Sequence, residues 1–218
     1  MKSKYYIVAI LVFVVAAFYV ITYASGYKID ITNRNISQTG MIVVQSDPQT
    51  KIYLNNVEQG SGNVTIRNLK KGNYKVDIKR EGYHDWSTSF ELKGGEANII
   101  NYAILFKRNP EIGEYKIGQA DFINSLSDTD SLTVLNNEIY QNSQFVTRLA
   151  SEIKGVCWYS DRRYIAYTYS DTLKVISIDG TNEVKLVEKK SDTPVVFINS
   201  GRAVIYESDG KVYRAIIR

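Results

Sequence analysis

One cysteine, one histidine and three prolines stand among 218 residues. A single thiol cannot close an internal disulfide, so no stapled framework holds this chain. Cys157 lies in the apolar run Val156-Cys157-Trp158-Tyr159 and reads as a buried, inert thiol rather than a nucleophile. His84 lies in a different module, in a polar corner, and reads as a solvated side chain. With one histidine and one cysteine so placed, histidine-based triads and zinc clusters are excluded. A basic stripe interleaved with aromatics is also lacking. The net charge is +4, with Lys and Arg scattered among Asp and Glu, and no nucleic-acid partner is expected.

Other motifs of chemistry are missing. Gly60-Ser61-Gly62 and Lys93-Gly94-Gly95 read as hairpin loops without the strand-to-helix setting of a phosphate loop. Asp128-Thr129-Asp130 lacks the remaining spacing of a calcium loop. Asn35-Ile36-Ser37 and Asn63-Val64-Thr65 have the form of glycosylation sequons and read as chance matches. No catalytic, cofactor-binding or metal-ligating residue is assigned, no cofactor is expected, and the chain reads as a non-enzyme. A pair of carboxylates meeting in the fold would support a hydrolase, but nothing in the sequence favours one.

What is present begins at the amino end. Tyr5 through Ala24 carry no charge, and this run matches the ~20 residues that cross a bilayer core as a helix. It is apolar all round, unlike the one-sided stripe of a surface helix. Lys2 and Lys4 precede it, which predicts a cytoplasmic amino terminus and an extracytoplasmic remainder. Tyr5, Tyr6, Tyr19 and Tyr23 fall near the run's ends, where amphipathic rings favour the interface. A cleaved signal peptide is the competing reading, but its apolar region is usually ~7–15 residues, shorter than this run. The expected localisation is a single-pass cell-membrane protein.

Beyond the run, 17 tyrosines, many Ile and Val residues and few prolines point to β-structure, and no helical periodicity is sustained. Residues 27–39 read as a polar juxtamembrane stalk with room for one short strand. Residues 40–106 then alternate strands and turns. Met41–Val44 and Lys51–Leu54 are strands, the second closed by Asn55-Asn56, a pair that tolerates positive φ. Tyr74, Val76 and Ile78 share one strand face. Gly82-Tyr83 turns the chain so that Tyr83 and Trp86 cap one end of the core. The spacing predicts a small β-sandwich.

The pattern over 40–106 resembles the PEGA domain, a small β-module of bacterial surface and envelope proteins. The matching residues are Ser46, Pro48, Tyr53, Leu54, Asn55, Gly60, Leu69, Gly72, Tyr74, Val76, Gly82, Tyr83 and Trp86. The name-giving tetrapeptide reads Pro48-Gln49-Thr50-Lys51. The resemblance implies an envelope module without catalytic residues.

After a linker at 107–120, residues 121–218 hold two similar segments. One runs from Cys157 through Tyr167 to Ser170-Asp171 and Leu173–Ile176. The other runs from Val196 through Tyr206 to Ser208-Asp209-Gly210 and Lys211–Tyr213. Their offset is about 39 residues, close to the ~40–45 of propeller repeats. With Leu132–Leu135, Asn136-Asn137 and Glu138–Tyr140 as part of an earlier unit, they resemble roughly two and a half blades of a WD40 or TolB-like propeller, short of the ~4 that close a ring.

The fold expected is all-β: an N-terminal transmembrane helix (residues 1–26 with its cytoplasmic tip), a PEGA-like sandwich and incomplete propeller-like sheets. The leading function is a non-enzymatic envelope protein binding protein or cell-wall glycan. The alternative is a subunit of a membrane assembly or sensor, its partial propeller completed by a partner or by oligomerisation through repeat edges. An envelope hydrolase is the third.

Overall fold

The computed structural model describes residues 2–24, 27–30, 35–47, 49–116 and 128–218. The matching position Pro48 and the first part of the expected repeat region, 121–127, lie outside them. The first element is α1 (Lys2–Ala24), the one helix among the described residues. Its window Tyr5–Thr22 is long and apolar enough to cross a membrane, and none of it is buried. A signal sequence would meet the same test of length and composition, so the helix alone does not establish an anchor.

Everything else described is strand, turn or loop. β1 (Tyr27–Asp30) and β2 (Asn35–Gln38) pair antiparallel, so the expected stalk contains a two-stranded hairpin. Next come β3 (Gly40–Val44), β4 (Lys51–Leu54), β5 (Val57–Ser61), β6 (Val64–Leu69), β7 (Gly72–Lys79), β8 (Trp86–Leu92) and β9 (Ala97–Ile100). They form two sheets, of order β6-β3-β9 and β5-β4-β7-β8. β3 runs antiparallel to β6 and parallel to β9. The period-2 pattern decides what is buried: Ile42 and Val44, Ile52 and Leu54, Val76 and Ile78 all leave solvent, joined by Leu92 and Ile100.

Tight turns join many of these strands, and their residues carry the required conformation. Asn55 and Asn56 have φ of 47° and 68°, as a two-residue hairpin turn needs. Asn55 Oδ1 also accepts a hydrogen bond from the Lys75 backbone N–H at 2.8 Å. Replacing Asn55 with Ala loses both features. The expected cost is about 1–2 kcal/mol, from the left-handed strain and the lost hydrogen bond, and urea denaturation would measure it.

The second set begins with β10 (Glu111–Glu114), which lies within the stretch read as a linker. It continues with β11 (Leu132–Leu135), β12 (Glu138–Gln141), β13 (Gln144–Arg148), β14 (Ile153–Trp158), β15 (Tyr164–Tyr169), β16 (Thr172–Ser177), β17 (Val184–Glu188), β18 (Val196–Ile198), β19 (Ala203–Ser208) and β20 (Lys211–Ile216). Three antiparallel sheets result: β11-β12-β13, β14-β15-β16-β17 and β10-β20-β19-β18. The two similar segments both form strand–turn–strand–turn–strand units. Their tight turns are Ser170-Asp171, with φ of 46° and 57°, and Asp209-Gly210, with φ of 50° and 76°.

The propeller expectation fails here. Among the described residues each sheet is separate, and none curls or closes into a propeller or barrel. The repeated pattern specifies local hairpins, whose hydrogen bonds end at each sheet's own edges. A ring needs about four sheets arranged around an axis, and three are present among the described residues of this region.

The chain divides into two compact units. One comprises Met1–Ile78 with Thr88–Ala103, the other Lys79–Ser87 with Ile104–Arg218. The Gly82-Tyr83 corner therefore belongs to the second unit. Tyr83 bridges to Lys107, and the Trp86 Nε1–H donates to the Tyr164 hydroxyl at 2.9 Å. The corner, expected to cap one end of the core of residues 40–106, is bonded to an aromatic group. Tyr159 is its centre, with edge-on contacts to Phe106, Tyr164 and Phe197 at centroid distances of 5.5, 6.1 and 4.9 Å.

Candidate functional site

A cavity of about 340 Å³ opens beside β14 and β15, with Lys154, Cys157, Tyr167, Leu173, Asp192 and Val195 in its lining. β14 supplies Lys154 and Cys157 three positions apart, and the loop after β17 supplies Asp192. The floor is apolar. The rim is charged: Lys154 Nζ lies 2.9 Å from Asp171 Oδ1 and 3.5 Å from Asp192 Oδ1. The hydrogen bond to Asp171, with the field of both carboxylates, raises the lysine above its ordinary range and holds it protonated.

Tyr167 lies behind this rim. Its hydroxyl donates to Glu183 Oε2 at 2.6 Å, and Lys174 Nζ donates to the other carboxylate oxygen at 2.6 Å. Burial, then the Glu183 contact, pushes the tyrosine above its ordinary range. Burial would raise Glu183 as well, but the hydrogen bonds from Lys174 and Tyr167 prevail and its pKa is lowered. The Tyr167 proton is thus held firmly on the phenol.

Next to the cavity wall, Lys189 is wholly buried at 0% exposure, and its ammonium donates to the Ser191 carbonyl. Burial lowers its pKa, against the opposing fields of Asp192 and Glu207. A base with a lowered folded-state pKa costs stability while it must stay charged. That cost is full at neutral pH and fades as pH rises from the folded value toward the ordinary 10.5. Lys189→Met is therefore expected to raise the melting temperature by a few degrees at neutral pH, the gain shrinking as pH approaches the lysine range. A pH series of thermal melts would check both the sign and the trend.

A second surface lies on the β11–β13 sheet. The register sets Leu135 opposite Glu138 and Tyr140 opposite Phe145, so these share a face. Leu135 and Phe145 are exposed, and the Tyr140 and Phe145 rings meet edge-on at 6.0 Å. Glu138 accepts from the Tyr140 hydroxyl and from Arg148 Nε, which lies at 2.6 Å, and these contacts lower its pKa, the tyrosine first.

The residues singled out in the sequence fall in different places. Cys157 is buried, forms no disulfide, and lines the cavity. His84 is half-buried rather than solvated. Burial, then the Arg108 charge, lowers its pKa, and its backbone N–H donates to the Phe106 carbonyl at 2.8 Å. Asp128 is engaged by the Arg162 guanidinium, and its Oδ1 accepts from the Asp130 N–H at 2.8 Å. Among the described residues no group of three or more His, Cys, Asp or Glu side chains could hold a metal ion. Lys154, Tyr167, Glu183, Lys189 and Asp192 went unnoticed in the sequence. Lys154 alone carried a signal, a charge inside the apolar pattern of β14; Tyr167 reads as an ordinary strand residue, and Glu183, Lys189 and Asp192 lie outside the strands.

The chain thus combines one apolar helix with an almost wholly β-sheet remainder. Residues 39–105 match the PEGA domain family, so a PEGA domain is present in this chain. No curated protein sequence matches the chain.

Proposed function

We propose that this chain is a non-enzymatic membrane protein that holds a PEGA β-sandwich and further β-sheets outside the cytoplasm to bind an envelope ligand. The observation that carries the anchor is α1. Its Tyr5–Thr22 window is uncharged and entirely unburied, so water would face about five turns of apolar surface unless lipid covered it. Lys2 and Lys4, on the amino side of the apolar run, support a cytoplasmic amino end. The PEGA domain supports an envelope role.

The cavity beside β14 and β15 supports binding over turnover. Its volume is within the range that takes small ligands or a short chain segment, and its two charged lining residues, Lys154 and Asp192, already pair with each other. The Tyr140–Phe145 surface beside Glu138 and Arg148 offers ring faces and hydrogen-bonding groups together, which suits a sugar ring of a wall glycan.

Alkaline extraction of membranes, followed by intact mass, tests the anchor. Chain retained in the pellet at full mass supports it; a soluble form lacking the first two dozen residues overturns it. Binding of solubilised wall glycan to the purified full chain, compared with Phe145→Ala, tests the ligand. Equal binding by both proteins would sink the glycan reading.

A further inference from the structure

The outer edge of β10 has the features of a self-association site. β10 is terminal in its sheet, and among the described residues no strand lies on its other side. Its four residues are all exposed, and Ile112 keeps 52% of its surface in water. Beside it lies a notch of about 290 Å³, lined by Glu111, Gly113, Tyr115, Arg214 and Ile216 among others.

The register explains the notch. Gly113 stands opposite Arg214, and Glu111 stands opposite Ile216, so all four project from one face. A Cβ added at Gly113 would meet nothing within 4 Å. The missing side chain leaves an open path from Arg214, across Gly113, to the sheet edge. Arg214 Nε is buried and has no hydrogen-bond partner. Lys107 holds Glu111, the acid on the same face, through Oε1 at 2.7 Å and Lys211 holds Glu114, and neither carboxylate bonds to Arg214 Nε within the chain.

Backbone parity supplies the rest. The Tyr115 N–H bonds to the Val212 carbonyl at 2.8 Å, so the odd-numbered residues of this strand turn toward β20. Ile112 and Glu114 consequently turn their N–H and C=O groups to the open side.

We propose that two copies of this chain associate by antiparallel pairing of their β10 strands about a two-fold axis at Ile112. That axis makes Ile112 and its symmetry mate a hydrogen-bonded pair and sets each Glu111 opposite the other copy's Gly113. Arg214 then reaches across its own Gly113 to the incoming Glu111, over two strand spacings or roughly 9.5 Å, and the contact occurs twice. On the opposite face, the two exposed Ile112 side chains cover each other. A second copy fits because one strand carries the backbone edge, the apolar contact and the carboxylate in the register that the arginine requires. The pairing is independent of the anchor and of any glycan.

The test uses the full chain in detergent. Ile112→Cys is treated with a short thiol–thiol cross-linker, with the equally exposed Leu135→Cys as control. A covalent dimer from the first and not the second is expected; equal yields, or none from Ile112→Cys, overturn the proposal. In light scattering, Glu111→Arg and Arg214→Glu should each weaken the dimer about tenfold or more, and the charge-swapped double variant should restore it. Restoration also shows that the variants fold. A monomeric wild type, or a dimer indifferent to Glu111→Arg, refutes the pairing.

Discussion

Tyr159→Ala is expected to unfold the second unit at ordinary growth temperature. Tyr159 is 1% exposed and meets three aromatic rings edge-on. Its hydroxyl donates to the Gly201 carbonyl at 2.7 Å and accepts from Arg218 Nη1 at 3.3 Å. Gly201 has φ of +77°, and a Cβ there would lie 2.3 Å from the Tyr159 oxygen, so the backbone has closed over this ring. Truncating a buried aromatic side chain to Ala costs about 3–5 kcal/mol, and the lost hydrogen bonds add about 1 kcal/mol. A domain stable by about 5–15 kcal/mol loses much or all of its margin. Tyr159→Phe keeps the ring and gives up only the hydroxyl, so it should cost about 1 kcal/mol. Circular dichroism melts of both variants decide the matter. Equal losses would show that the hydroxyl, and not the packed ring, holds this region.

Two arginines in the helix should release the chain from membranes. Val12 and Val15 lie inside the uncharged Tyr5–Thr22 window. Each central Arg costs about 2.5–3.5 kcal/mol of insertion free energy, so Val12→Arg with Val15→Arg costs roughly 5–7 kcal/mol. The variant should leave the alkali-resistant pellet, while Val12→Leu with Val15→Leu stays in it. If α1 were removed as a signal sequence, the mature chain would lack both positions, and the Leu control would be soluble as well. Fractionation of the two proteins therefore separates anchor from leader.

The legible parts were those decided by neighbours along the chain. Alternation at Tyr74, Val76 and Ile78 gave β7, and the Asn55-Asn56 pair gave its hairpin, because side-chain period and φ preference are local. The PEGA pattern was readable over 40–106, against a family match at 39–105, because its turns are spaced by strand length. The same locality misled at the carboxyl end. Two similar strand–turn–strand segments gave separate sheets rather than blades of a partial propeller, because repetition specifies hairpins and says nothing of how sheets are arranged. The Gly82-Tyr83 corner was expected on the core of 40–106, but Trp86 bonds to Tyr164, 78 positions along the chain.

The candidate sites were nearly invisible for the same reason. Cys157 was noticed and read as buried, which it is, but the cavity around it joins β14, β15 and the loop at Asp192. Lys189 looks like any surface lysine until its surroundings exclude water from it. Arg214 and Gly113 are 101 positions apart, and only the pairing of β10 with β20 brings a guanidinium beside a missing side chain.

By itself, then, the amino-acid sequence determined an apolar helix of membrane-spanning length, a β-rich remainder, the positions of its tight turns and a PEGA domain. The helix, the β-rich remainder and the turns follow from composition, period and turn chemistry local in the chain, and the domain from its resemblance to a family pattern. The tertiary structure alone decided that the repeats stay as separate sheets, that the stretch before residue 115 supplies an edge strand, and which charged side chains meet. Those outcomes depend on contacts between distant segments, whose free energy comes from packing and desolvation that no local pattern records.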